Sequence, residues 1–85
     1  MAKRRPDIII LMDILTALLD GPNIPTRMAQ ICNLSYDNFV KFAKMLEAKG
    51  LVERKTEQGH EFYSLTPAGF QQQQEFRKVI ERFGA

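Results

Sequence analysis

A small α+β fold that is mostly α is predicted by three stretches of this sequence. Residues 33 to 50 have the form of a capped, two-faced helix, and a shorter helical segment ends just before it. Two short strand-like segments separated by turn-forming residues follow, and Thr66-Pro67 then opens a last helix. The 85 residues are expected to form one domain over 1 to 85. A chain of that size buries only about 60 to 65% of the surface it exposes when unfolded, so its core must be compact.

The first helix is expected to open at Pro6 and Asp7 and to run to about Asp20, where Gly21 and Pro22 stop it. Ile8, Leu11, Ile14, Leu15, Leu18 and Leu19 form a broad apolar face, and Ile9, Ile10, Met12 and Ala17 extend apolar surface round most of the circumference. A helix apolar nearly all round is covered on more than one side. Two readings follow: it is the central core helix, or Ile9 and Ile10 belong to a contact with a second subunit.

Residues 21 to 25 form a turn, in which Ile24 is expected to make a brief strand contact. Helix resumes at Thr26, with Met28, Ile31 and Cys32 inward and Arg27 and Gln30 outward. Only Leu34 and Ser35 separate it from the next helix. The Ser35 hydroxyl can accept from an unpaired N–H of the first turn, and Gly50 suits the left-handed residue that ends a helix. At about 100° per residue, Phe39, Phe42, Ala43 and Leu46 share one side, while Asp37, Lys41, Lys44 and Ala48 share the other. Two helices joined so tightly predict a helix-turn-helix, with residues 36 to 49 as its groove-entering member.

Residues 51 to 55 and 61 to 65 have strand character, and Thr56, Glu57, Gln58, Gly59 and His60 between them have the composition of a hairpin loop. Leu51, Tyr63 and Leu65 would anchor the hairpin on the helices, leaving Phe62 to cover a neighbour or to meet a partner. Thr66 and Pro67, an N-cap and a first-turn proline, begin a helix expected to reach about Phe83. Phe70 would pack back on the body. Further along, Gln73, Phe76, Val79, Ile80 and Phe83 form a stripe roughly 120° wide that is expected to lie beyond the core. Such a stripe on a terminal helix predicts dimerisation, with Gln73 fixing register as a buried polar residue does in a coiled coil. The run Gln71, Gln72, Gln73, Gln74 otherwise reads as solvated surface.

Composition narrows the function. With 45% hydrophobic and 26% charged residues, the chain is neither disordered nor membranous in type, and no apolar run approaches the ~18 residues of a membrane span. A secretory signal is not expected, because the basic start leads into an acidic, helix-patterned segment, and the localisation expected is cytoplasmic. Cys32 has no partner for an internal bridge and His60 has no neighbouring ligand, so a disulfide, a metal and a cofactor are not expected. An enzyme is the weakest class: the sequence has no Ser-His-Asp or Cys-His set and no glycine-rich phosphate loop, and no small-molecule substrate is evident. Twelve Lys and Arg stand against ten Asp and Glu, a net charge of only +2. Their distribution says more. Lys3, Arg4 and Arg5 cluster at one end, Arg27 lies on the first helix of the pair, Lys41 and Lys44 on the outer face of the second, and Arg54 and Lys55 beyond it.

Helix, helix-turn-helix, two-stranded hairpin and terminal helix is the element order of a winged helix-turn-helix. Three motifs, Asn33-Leu34-Ser35-Tyr36, Lys49-Gly50-Leu51-Val52-Glu53 and Tyr63-Ser64-Leu65-Thr66-Pro67-Ala68-Gly69, carry a resemblance over about half the chain. They resemble archaeal winged-helix proteins of the ten-kilodalton DNA-binding, chromatin-associated type and related predicted transcriptional regulators. The resemblance implies a homodimer that binds double-stranded DNA and pairs through its terminal helix. This chain departs from that type in its shorter terminal helix and in Asp37, which suits the helix dipole but repels phosphate. Modest or specific binding is therefore expected rather than strong non-specific binding.

On this reading Ser35, Tyr36, Asp37, Asn38, Lys41 and Lys44 lie near base edges or phosphates, with Asn38 able to pair with adenine. Arg27 grips backbone, and Arg54 and Lys55 carry the wing to flanking phosphates. About five neutralised phosphates per subunit would give a log–log salt slope near −4 to −5. A competing class is a winged helix that docks proteins without binding DNA, using the second side of the first helix and the terminal stripe.

Overall fold

The computed structural model describes residues 5–84. Its elements, in order, are α1 (Asp7–Ala17), α2 (Pro25–Ile31), α3 (Tyr36–Ala48), β1 (Val52–Glu57), β2 (His60–Leu65) and α4 (Pro67–Arg82). One tight helical turn, Leu18–Asp20, continues α1 before Gly21 at φ 122° breaks it. The mostly helical α+β order expected from sequence is the order observed.

The helix-turn-helix is fixed by the same device at both helix ends. After α2, the Asn33 N–H donates to the Gln30 carbonyl at 3.1 Å and the Leu34 N–H to the Ala29 carbonyl at 2.8 Å. After α3, the Gly50 N–H donates to Glu47 at 3.0 Å and the Leu51 N–H to Leu46 at 3.0 Å. Asn33 and Gly50, at φ 57° and 72°, are the left-handed residues that this paired pattern requires. Asn tolerates that conformation and Gly adopts it without strain. Ser35 then opens α3 by accepting from the Asn38 N–H at 3.2 Å.

β1 and β2 pair antiparallel from Val52↔Leu65 to Glu57↔His60. Their connection is only Gln58-Gly59, both at positive φ, the backbone that matches a two-residue hairpin turn to strand twist. The expected loop of residues 56 to 60 is thus shorter, and His60 is a strand residue. Asn23, rather than Ile24, makes the extra strand contact: its N–H donates to Tyr63 O at 3.0 Å and its carbonyl accepts from Tyr63 N at 2.9 Å. Tyr63 meets Phe39 edge-on, with centroids 5.4 Å apart, which seats the wing against α3. Thr66 completes the closure. Its hydroxyl accepts from Gly69 N–H at 3.0 Å and donates to the Gly50 carbonyl at 2.6 Å, so the cap of α4 is also a tie to the end of α3.

Ile14, Leu15, Met28, Phe39, Phe42, Leu46 and Tyr63 are fully buried and form the centre of one core. Several expected faces are turned. Ile10 and Met12 lie in this core, so the second side of α1 is largely covered by the chain itself and Ile10 offers no dimer surface. Ile8 and Leu19 are exposed instead. On α2, Ala29 takes the inward position expected for Ile31, which faces out. Phe70 also faces out, because Gly69 is the residue of α4 that approaches the body, and Val52 joins Tyr63 as the wing's buried anchor.

Candidate nucleic-acid interface

All eight residues expected at the interface, Arg27, Ser35, Tyr36, Asn38, Lys41, Lys44, Arg54 and Lys55, are exposed. Two of them, Arg54 and Lys55, fall on opposite faces of the wing. On α3 the buried side is Phe39, Phe42, Ala43 and Leu46. Helical spacing puts Asp37, Lys41, Lys44 and Ala48 opposite it, with Asn38 on one flank and Tyr36 and Glu47 on the other. The outermost face therefore carries two cations and one acid. Lys41 lies with its Nζ 5.2 Å from the Phe42 ring centroid, so its stem follows the helix before its charge reaches solvent. Ser35 has its hydroxyl oxygen engaged as the cap, which makes it first a determinant of where α3 begins.

The wing divides its two cations. Adjacent strand residues point to opposite faces, and Arg54 falls on the face that bears Val52 and Tyr63. There its guanidinium lies 3.8 Å from Glu47 of α3 and 3.6 Å from Glu61 of β2. Arg54 thus joins wing to helix. Lys55 falls on the outer face, across from Phe62. With Pro22, Glu57 and Ser64 these two line a shallow depression of about 280 Å³. Phe62 is half-buried there.

Lys3 and Arg4 of the N-terminal basic cluster lie outside the described residues. Arg5 is not a free cation. Its Nη1 donates to Asp13 Oδ2 at 2.6 Å and its Nη2 to the Cys32 carbonyl at 2.6 Å. Sequence alone missed this contact, although Asp13 on the outward side of α1 was an available signal. Burial, reinforced by Asp13 and opposed by Arg5, pushes the Cys32 thiol up from its ordinary value, as suits a small core residue rather than a nucleophile.

Gln73 changes the account of α4. It is only 4% exposed, and its Nε2 donates to Thr16 Oγ1 of α1 at 3.2 Å, while Gln74 donates to its Oε1 at 2.8 Å. Gln73 and the half-buried Phe76 belong to the chain's own α1–α4 packing. Gly69, Gln73, Phe76, Ile80 and Phe83 follow alternating spacings of four and three, the repeat of a coiled-coil seam. Gly69 and Gln73 are buried and Phe76 is half-buried. Val79, Ile80 and Phe83 continue the stripe at 47%, 37% and 81% exposure. Among the described residues no helix is long and apolar enough to cross a membrane, and no group of His, Cys, Asp and Glu is arranged to hold a metal ion.

The winged helix-turn-helix family matches residues 4–83 of the chain. Among solved structures, the transcriptional regulator BldR from Sulfolobus solfataricus is 24% identical with a TM-score of 0.82, over 88% of this chain and 56% of that one. Sso10a-2, a DNA-binding protein from the same organism, is 26% identical with a TM-score of 0.76, over 93% and 85%. A variant of Lactococcus lactis ZitR in complex with DNA is 18% identical with a TM-score of 0.76, over 96% and 60%. The chain thus spans little more than half the length of BldR. No curated protein sequence matches it. The two Sulfolobus structures agree with the archaeal resemblance carried by the three motifs between Asn33 and Gly69.

Proposed function

Because the chain belongs to the winged helix-turn-helix family, we propose that it is a transcriptional regulator that binds double-stranded DNA as a homodimer. In this reading α3 enters the major groove and the wing lies on flanking backbone. The observation that carries it is the uncovered outer face of α3, held at a defined angle by the Ser35 cap, the Gly50 terminus and the Phe39–Tyr63 contact. Lys41 and Lys44 meet phosphates or base edges from that face, and Asn38 and Tyr36 serve its two flanks. Arg27 and Lys55 contact backbone. Arg54 orients the wing through Glu47 and Glu61 rather than contacting phosphate. Similarity to a DNA-binding Sulfolobus protein, and in fold to a protein solved in complex with DNA, supports the same reading.

Dimerisation uses residues 79 to 83 of α4 together with Ile8 and Ile9 of α1, and residues 67 to 83 form the dimerising helix of a single 1–85 domain. Two copies of α3 then read sites about 34 Å apart, one turn of DNA. The test is a gel shift with mixed-sequence duplex, repeated with Lys41→Glu and Lys44→Glu together. The wild-type chain should shift the duplex and the double variant should not.

A second reading, a protein-docking module without DNA binding, is favoured by the exposed Val79, Ile80 and Phe83 and by the acids that engage Arg54. A wild-type chain that shifts no duplex at low salt would select it.

A further inference from the structure

Arg5 stands just before α1 and reaches two other elements. One arm of its guanidinium holds the Asp13 carboxylate of α1; the other donates to the Cys32 carbonyl at 2.6 Å, with the Asn33 carbonyl at 3.5 Å. Cys32 and Asn33 end α2 and aim the chain into α3. A planar fork of donors can hold a carboxylate and a carbonyl in different directions at once, which an ammonium does less well. Asp13 has no use as a groove contact, since it repels phosphate. Its partner Arg5 is neutralised by it. α1 in turn is bonded to α4 through Thr16 and Gln73, so a tie between the α2–α3 turn and α1 is also a tie between α3 and the body that carries the α4 stripe.

From this juxtaposition we infer that Arg5 and Asp13 are positioning residues for DNA recognition, a latch that fixes the angle of α3 on the α1–α4 body without touching DNA. The inference rests on the DNA-binding reading above. It makes Asp13 favourable for binding despite its charge, which simple charge counting does not.

Arg5→Gln, Asp13→Asn and Arg5→Lys in the full chain test it, with thermal melts to establish that each variant folds. The side chains of Arg5 and Asp13 are 35% and 43% exposed, so neither replacement leaves a charge stranded in the core. In the free protein, amide exchange at Asn33 and Leu34 should quicken about tenfold in Arg5→Gln and Asp13→Asn, while exchange at Val52 and Tyr63 stays as it was. Unchanged exchange at the turn overturns the latch, whatever the chain does with DNA. On mixed-sequence duplex both variants should bind about fivefold more weakly with the log–log salt slope unchanged, and Arg5→Lys should recover part of the loss. Tighter binding by Asp13→Asn, or a slope reduced by about one in Arg5→Gln, overturns the inference, because Arg5 would then be a phosphate contact. If the wild-type chain binds no duplex, the DNA reading and the positioning role fall together, and the exchange result still decides whether the turn is latched.

Discussion

Gln73 Nε2 donates to Thr16 Oγ1 at 3.2 Å, and Thr16 Oγ1 donates in turn to the Met12 carbonyl at 2.9 Å. This chain of bonds joins residues 57 apart in sequence and makes the first half of α4 part of the core. Gln73→Ala should therefore destabilise the monomer by about 1 to 3 kcal/mol, from lost packing and a lost bond. Urea unfolding measures it. Oligomeric state in sedimentation should not change; a shift from dimer to monomer would return Gln73 to the register role expected from sequence.

Gly69→Ala sets two effects against each other. Alanine is favoured over glycine inside a helix by about 1 kcal/mol. A Cβ at this position, however, would fall on the Leu51 carbonyl, and that carbonyl is held in place by the Thr66 N–H at 3.2 Å. Overpacking costs about 1 to 3 kcal/mol or more where a backbone cannot yield. The clash should win, lowering the melting temperature by several degrees, at about 4 to 8 °C per kcal/mol for a domain of this size. A higher melting temperature would show that the start of α4 shifts freely.

The two wing cations should differ on DNA. Lys55→Gln is expected to reduce the log–log salt slope by about one, the signature of a lost phosphate contact. Arg54→Gln should leave the slope almost unchanged, since Glu47 and Glu61 already engage that charge. Titration of duplex at several salt concentrations checks both. Equal reductions would mean that DNA draws Arg54 away from its carboxylates.

Ile80→Asp probes the open half of the stripe. Ile80 is partly exposed in the monomer, so the fold should survive while self-association is lost. Sedimentation at micromolar concentration should give a dimer for the wild-type chain and a monomer for the variant. A wild-type monomer would remove the α4 dimer from the proposal.

Alkaline pH should weaken the fold. Burial raises the pKa of Cys32 above its ordinary value of 9.0 and that of Tyr63 above 10.0, with Asp13 adding to the first and Arg54 opposing the second. Both groups hold their protons more tightly when folded. Their contribution is complete below the unfolded values and is lost as pH rises through 9 and 10 toward the raised folded values. Denaturant midpoints measured across that window should fall. Alkylation of Cys32 at neutral pH should track global unfolding, and rapid labelling of the native chain would contradict the burial.

Much of the helix-turn-helix was legible because its signals are local. The Ser35 cap, the Gly50 terminus and the Phe39, Phe42, Ala43 and Leu46 face each depend on residues within one or two turns. The Thr66-Pro67 start and the hairpin are local in the same way. Errors gathered where a residue's place depends on a distant partner. Gln73 read as surface or register because Thr16 is nowhere near it in sequence. Ile31 reads as inward in sequence yet faces out, because periodicity gives the angle between residues on a helix but not the side from which a neighbour arrives. Arg54 and Lys55 read as one basic pair in sequence, although strand alternation sends them to opposite faces and only Glu47 and Glu61 decide which of them is engaged.

Residues 33 to 50 show the same division. Its own side chains determined a capped helix with lysines on one face and apolar residues on the other, since caps and 3.6-residue periodicity act over a few ångströms. The angle of that helix, and the cations left free around it, were decided by tertiary contacts: Phe39 on Tyr63, Arg54 on Glu47, and Arg5 on Asp13 and Cys32. Such contacts join residues far apart in the chain, and their geometry exists only once the core has brought those residues together.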